Sequence, residues 1–329
     1  MNVSSFTAAW WLRNPHLQTL WGKFFRRLPS HKTFVERIET PDDDFIDLHH
    51  VNTGEGKPIL FLLHGLEGGI RSHYIQGFLR EAGARGWQAS VMVFRSCGES
   101  RNRTRRLYHS GETSDASFAL QHLKTRFPAS PILLAGVSLG GNVLLKYLGE
   151  HGTRLPPEIA GAAAASVPFD LARSSRHIDR GFSRVYQRAF LKSLRKKALD
   201  KIAEFPDMAD AERVRSARTM FEFDDSFTAP VHGFRDAMHY YKESSSIRWL
   251  SRISIKTLLL SAVDDPFLPS QVLEDVRDIA AANPCIEVEF VPHGGHVGFV
   301  GGMNPVKPDY YLERRTCEFL ADCLERTPH

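Results

Sequence analysis

The segments PILFLLHG (58–65) and PILLAGV (131–137) are apolar almost without interruption, where a strand with one wet face would alternate. Such runs suit strands buried on both faces, as in parallel sheets packed between layers of helices. WQASVMVF (87–94), KTLLLSA (256–262) and CIEVEFV (285–291) repeat the theme. IAGAAAAS (159–166) does so more weakly, because alanine prefers helices. Helix-length patterns lie between these runs, near 72–84, 115–127, 139–150, 270–282 and 309–325. The alternation predicts an α/β fold: a mostly parallel sheet of about eight strands flanked by helices. TFVERI (33–38) and FIDLHHV (45–51), with no helix between them, are expected to pair as an antiparallel edge hairpin. In such sheets the functional residues stand just past the C-terminal ends of the strands.

Residues 168–250 break the alternation. They read as helical and irregular and carry twelve aromatics, among them Phe182, Tyr186, Phe190, Phe221, Phe227, Tyr240 and Trp249. An insertion of this kind between two strands is expected to form a helical cap over the active edge of the sheet. The division expected is an N-terminal arm (1–33), a core domain (34–167 and 251–329) and the cap (168–250).

At 329 residues, with 42% hydrophobic and 24% charged residues, the chain is long enough for a large core. A net charge of +4 gives no argument for a nucleic-acid partner. No apolar run reaches the roughly 18 residues of a membrane span, and no secretory h-region is visible. Cys97, Cys285, Cys317 and Cys323 form no metal-binding spacing and are expected to be free thiols in a reducing cytoplasm. Neither phosphate-binding glycine motif occurs, and no metal or organic cofactor is expected.

Gly136-Val137-Ser138-Leu139-Gly140 joins an expected strand directly to an expected helix. G-x-S-x-G alone is short enough to arise by chance. Placed here, it fits a nucleophile elbow, in which small residues two before and two after the serine let strand and helix approach. A serine hydroxyl needs a base to take its proton, and a histidine base needs a carboxylate to orient it. In chain order Asp264 and Asp265 follow the strand at 256–262, and His293 and His296 follow the strand at 285–291. Position alone leaves both pairs open, and Asp170 is a distant third candidate for the acid. One member of each pair has an ordinary role available, as a turn residue before Pro266 or as a loop side chain. The developing oxyanion needs donors. The backbone N–H of Leu139 and that of Leu66, in the loop LLHGLEGG (62–69), are the expected pair. Gly65, Gly68 and Gly69 would let that loop approach a substrate, and His64 reads as structural.

Together, NPHLQTLWG (14–22), HGLEGG, YHSGETSD (108–115), GVSLGGN, DDPFLP and HGGHVGF, in that order, resemble the YheT-like branch of the α/β-hydrolases, AB hydrolase family 4. The resemblance runs from about residue 13 to the C-terminal helix. It implies an α/β-hydrolase fold and a Ser-Asp-His triad of Ser138, Asp265 and His296. It also implies hydrolysis of carboxylic esters with medium-chain or lipid-like acyl groups, some relatives transferring the acyl group to alcohols. One departure is visible: FRSCGES (94–100) has Ser96 where the family pattern has glycine, which puts the shape of that loop in question.

The function expected is therefore a serine esterase acting on a small-molecule ester with an apolar acyl chain. Acyl transfer to an alcohol, thioester hydrolysis and a non-catalytic binding protein are the alternatives. Two features suggest peripheral membrane contact, each with an ordinary reading beside it. Arg176, Arg180, Arg184, Arg188, Lys192 and Lys196 recur at four-residue steps, as a stripe on one helix that could equally be a solvated face. The arm carries Trp10, Trp11, Leu17, Leu20, Trp21, Phe24 and Phe25, followed by Arg26 and Arg27, and could instead pack against the cap or the pocket rim.

Overall fold

A computed structural model describes residues 6–26 and 30–326; Arg27 of the arm lies outside the described residues. Eight strands form one sheet: β1 (Phe34–Glu39), β2 (Phe45–Val51), β3 (Ile59–Leu63), β4 (Gln88–Val93), β5 (Ile132–Val137), β6 (Ile159–Ala165), β7 (Thr257–Ala262) and β8 (Ile286–Val291). Their spatial order is β1-β2-β4-β3-β5-β6-β7-β8. The first two strands pair antiparallel as expected. β2 also pairs antiparallel with β4, so β1 alone forms that edge, and every later pairing is parallel.

Burial explains the sequence pattern. All residues of β3, β4, β5 and β7 are buried, because helices cover both faces. The exposed edge strand β1 carries Glu36, Arg37 and Glu39 instead. β6 is a strand despite its alanines because its neighbours demand small residues there. A Cβ on Gly161 would lie 2.7 Å from Cβ of Cys323 on the C-terminal helix Tyr311–Arg326. Tertiary packing here overrides intrinsic propensity.

The helices α2 (His73–Ala84), α3 (Ser114–Arg126), α4 (Leu139–His151) and Gln271–Ala281 fall close to their expected positions. Three features differ from expectation. The arm contains a helix, α1 (Pro15–Phe25), capped by Asn14, whose side chain accepts the N–H groups of His16 and Leu17. A small antiparallel pair, Val300–Gly301 with Asp309–Tyr310, lies outside the main sheet. The basic stripe does not run along one helix: α5 (Leu171–Ile178) stops, Gly181 turns the chain at φ +51°, and α6 (Ser183–Glu204) begins anew. Arg176 and Arg180 therefore leave the line that Arg184, Arg188, Lys192 and Lys196 follow along α6.

Between β6 and β7 the chain runs through α5, α6 and a series of shorter helices. Their aromatic and aliphatic residues, including Tyr186, Phe190, Phe223, Phe227 and Tyr240, wall a cavity whose other side is built from the loops after β3 and β5.

Candidate active site

Ser138 is the pivot between β5 and α4, with φ +54° and ψ −120°. A non-glycine residue there is strained, and the surroundings hold it in place. Ser138 N–H donates to Ala165 O at 2.8 Å, and its carbonyl accepts Asn142 N–H at 3.0 Å. The flanking glycines are sterically required. A Cβ on Gly136 would lie 2.5 Å from Gly140 O, and one on Gly140 would lie 2.4 Å from Leu63 O.

His296 Nε2 lies 3.0 Å from Ser138 Oγ, and its Nδ1 lies 2.8 Å from Asp265 Oδ2. Asp265 is buried, and its other oxygen accepts Phe267 N–H at 2.8 Å, so the turn itself orients the carboxylate. The Phe267 ring stacks on the imidazole at 4.1 Å. Hydroxyl, imidazole and carboxylate are thus in hydrogen-bonding line, an arrangement that can move the serine proton onto His296.

Asp264 and His293 form a separate pair, with His293 Nδ1 3.1 Å from Asp264 Oδ2. Asp264 does more than turn the chain. Its Oδ1 accepts the N–H groups of both Gly294 and Gly295 at 3.0 Å, pinning the loop that carries His296. Asp170 caps α5 by accepting Arg173 N–H at 2.9 Å and pairs with the Arg173 guanidinium.

The N–H groups of Leu66 and Leu139 donate to no acceptor among the described residues. Both residues line the cavity beside Ser138. A Cβ on Gly65 would come within 3.2 Å of Ser138 Cβ, which places this loop against the serine. His64 is wholly buried: it accepts Phe94 N–H at Nε2 and approaches Gly65 O at 2.8 Å through Nδ1. Burial lowers its pKa to about 4, so it is neutral. Ser96 takes φ +60°, the left-handed conformation a glycine would enter freely, and its Oγ donates to Asn102 Oδ1 at 2.7 Å. The loop therefore accommodates serine where the family pattern has glycine.

Two supports escaped sequence reasoning. The first is α1. Thr19 Oγ1 accepts His296 N–H at 2.9 Å and donates to Pro15 O at 2.7 Å. Gln18, fully buried, donates through Nε2 to Leu12 O and Val300 O and accepts Val300 N–H, bracketing the same loop. The second is Glu67, beside Leu66. It accepts Tyr108 OH at 2.7 Å and Lys197 Nζ at 2.8 Å, and also the hydroxyl of Ser193. Ser193 and Lys197 lie on α6, so this helix is tied to the loop that carries Leu66. Glu67 stands in HGLEGG and Tyr108 in YHSGETSD, the only sign the sequence gives of either.

The cavity containing Ser138 and His296 has a volume of about 960 Å³ and a mainly apolar lining. That is the upper end of the usual range for small-molecule sites. Its thiol, Cys97, is pushed up to about 11 by burial and is no thiolate at neutral pH. Among the described residues, no group of three or more His, Cys, Asp or Glu side chains could hold a metal ion.

Comparison with known proteins agrees with this architecture. The family model for the alpha/beta hydrolase fold matches residues 58–302. The protein YheT of Escherichia coli (strain K12) is 41% identical, covering 95% of this chain and 92% of its own length. A monoacylglycerol lipase of Saccharomyces cerevisiae is 32% identical over 85% of this chain and 62% of its own. A mouse protein, phospholipase ABHD3, is 29% identical over 96% and 78%. Among solved structures, the Pyrococcus furiosus esterase Pf2001 superimposes with a TM-score of 0.57 at 17% identity, covering 89% of this chain and 93% of its own. By the length and order of these matches, the chain belongs to the α/β-hydrolase fold family, in the group that includes YheT.

Proposed function

We propose that the protein is a serine hydrolase that cleaves carboxylic esters carrying a short- to medium-chain or lipid-like acyl group. The observation that carries this reading is the Ser138–His296–Asp265 line at the wall of a large, mainly apolar cavity. Relatives named as a monoacylglycerol lipase and a phospholipase support the reaction class.

In this reading Ser138 Oγ attacks the ester carbonyl carbon while its proton passes to His296 Nε2, and Asp265 stabilises the imidazolium. The carbonyl π electrons move to oxygen, and the N–H groups of Leu66 and Leu139 hold that charge. The intermediate collapses, the C–O bond to the alcohol breaks, and His296 gives its proton to the departing oxygen. Water then enters, its oxygen bonding to the acyl carbon as its proton passes to His296. The acyl C–O bond to Ser138 breaks, His296 returns the proton to Ser138 Oγ, and the acid leaves. An alcohol in place of water would give acyl transfer on the same residues. Residues 168–250 act as the cap, supplying the apolar wall that selects the acyl chain.

The test is steady-state hydrolysis of p-nitrophenyl esters of increasing chain length. The wild type should turn them over, with kcat/KM rising from the acetate towards medium chains. Ser138→Ala should lose roughly four orders of magnitude or more in kcat, as removal of such nucleophiles does. A variant retaining more than about a hundredth of wild-type turnover would contradict the assignment.

A further inference from the structure

The outer face of α1 is apolar where an ordinary surface helix is polar. Gln18 and Gly22 face inward. Roughly opposite them on the helix stand Leu17, Leu20 and Phe24, with Leu17 53% and Phe24 65% exposed. The start of α6 continues this surface. Phe182 is 52% exposed and Val185 49%. The His16 ring bridges the two helices, 4.6 Å from the Phe182 ring and 3.3 Å from Tyr186 OH. Trp10, just before α1 in the chain, is also exposed, and its indole N–H donates to Met303 O at 3.2 Å. Four of the large, exposed apolar side chains among the described residues, Leu17, Phe24, Phe182 and Val185, stand on or beside these two adjoining helices. Scattered singly they would need no explanation; gathered, they mark an interaction surface.

Charge identifies the partner. The first 35 residues contain no Asp or Glu; Arg26 is buried against Glu313, but the exposed Arg13, Lys23 and Lys32 have no acidic partner among the described residues. Beside Phe182 and Val185, the exposed side chains of Arg180 and Arg188 have no acidic partner among the described residues, and Arg184 has only Asp179 at 3.6 Å. An apolar strip rimmed by unpaired cations fits a bilayer of anionic phospholipid: the apolar side chains enter the acyl boundary and the cations meet the headgroups. Its position is also informative. Leu20 and Lys23 of α1 and Tyr186, Ala189 and Phe190 of α6 line the cavity that contains Ser138. Lys23 and Ala189 are exposed, as are Arg71, Gly98 and Glu99 elsewhere in the lining, so these two helices border one of the places where the cavity meets the surface. Among the described residues no helix is long and apolar enough to cross a membrane, so the contact is peripheral.

We infer that the α1–α6 face docks the protein on anionic phospholipid membranes, with this opening of the cavity turned toward the lipid.

Co-sedimentation with vesicles tests this without any need for ester turnover. The probes are vesicles of phosphatidylcholine alone and of phosphatidylcholine with phosphatidylglycerol. The full-length wild type should partition to the anionic vesicles and be released by about 0.5 M salt. Leu17→Ser/Phe24→Ser should lower partitioning at least about tenfold, because two buried apolar side chains are lost from the contact. Arg184→Glu/Arg188→Glu should lower it on anionic vesicles. None of these four residues lines the cavity, so hydrolysis of a water-soluble ester should be unchanged; that readout also shows each variant is folded. Wild-type protein that stays in the supernatant with both vesicle types would overturn the inference. So would equal binding to neutral vesicles, or undiminished binding by the Leu17→Ser/Phe24→Ser variant. Loss of vesicle binding together with a dimer that this double variant converts to monomer would assign the face to a second copy of the chain and overturn it as well.

Discussion

Ser138 can remain at φ +54° because its neighbours hold it there: two glycines that leave no room for a Cβ, a backbone bond to β6, and the first turn of α4. The same economy governs the acid. Asp264 and Asp265 are adjacent, yet one carboxylate faces the His296 ring and the other binds two amides of the loop beneath it. The reading assigns them different effects in one assay. Asp265→Ala should lower kcat by about four orders of magnitude, the cost of leaving a catalytic histidine in the wrong tautomer. Asp264→Ala should cost about tenfold, since it loosens the loop but keeps the relay. If Asp264→Ala proved the more damaging in kcat, the assignment of the acid would be wrong. The candidate nucleophile was legible from its place between strand and helix, and the candidate oxyanion loop from its glycines. The candidate acid and base were legible only to within a pair. Which side chain of a neighbouring pair points inward depends on turn geometry, and two adjacent aspartates carry no trace of it. The family resemblance, not spacing, preferred Asp265 and His296.

At the scale of elements, the inner face of α1, through Gln18 and Thr19, supports the loop that carries His296, while Leu17 and Phe24 on its outer face stand exposed. Thr19 holds the His296 amide across 277 residues of sequence. Gln18 fixes Val300, and Arg26 forms a buried ion pair with Glu313 of the C-terminal helix. The loop it supports is strained, with Val297 at φ +60° and Phe299 at φ +45°. A β-branched residue in that region persists only where its surroundings over-determine it. Thr19→Val, nearly isosteric, should therefore lower kcat by roughly ten- to a hundredfold with KM within about twofold, by displacing the base from Ser138. Unchanged kcat in a stable variant would show that the bond is incidental. Asn14 and Pro15 suit a helix start, one as cap and the other in the first turn, a local signal that the reading of residues 1–33 as an arm did not use. The reason for the helix, a loop near the far end of the chain, left no local mark. The basic repeat is the opposite case: a regular local pattern that the turn at Gly181 divides between two helices.

Over the whole molecule, the sheet was legible because burial on both faces writes itself into consecutive apolar residues. Strand order and register were not, since pairings such as β3 with β5 join segments some 70 residues apart. Burial also sets an acid sensitivity. His64 and His73 are held at about 4 and His232 at about 3, all by burial. Unfolded, each titrates near 6.5, so unfolding takes up protons as the pH falls below that value and stability falls with it. Asp224 acts oppositely: burial raises it to about 6, so its penalty grows as the pH rises from its unfolded value towards 6. His16, His49, His50 and His177 are lowered by burial as well, and among the described carboxyl groups only Asp115 and Glu313 join Asp224 in being raised by burial. Unfolding therefore takes up protons near pH 5, and stability falls as the pH falls. Urea unfolding between about pH 6.5 and 4.5 measures this slope. A flat profile would contradict the neutral, buried state of these histidines.

The central claim is that Ser138 is activated by His296 within the folded protein. It is tested most directly by treating the purified protein with a fluorophosphonate and locating the adduct by mass spectrometry. Here Ser138 Oγ would bond to phosphorus as fluoride leaves. The account predicts a single covalent adduct on Ser138, formed by the wild type and lost in His296→Ala. Folded wild-type protein that forms no adduct, or labels at Ser138 equally well without His296, would contradict it.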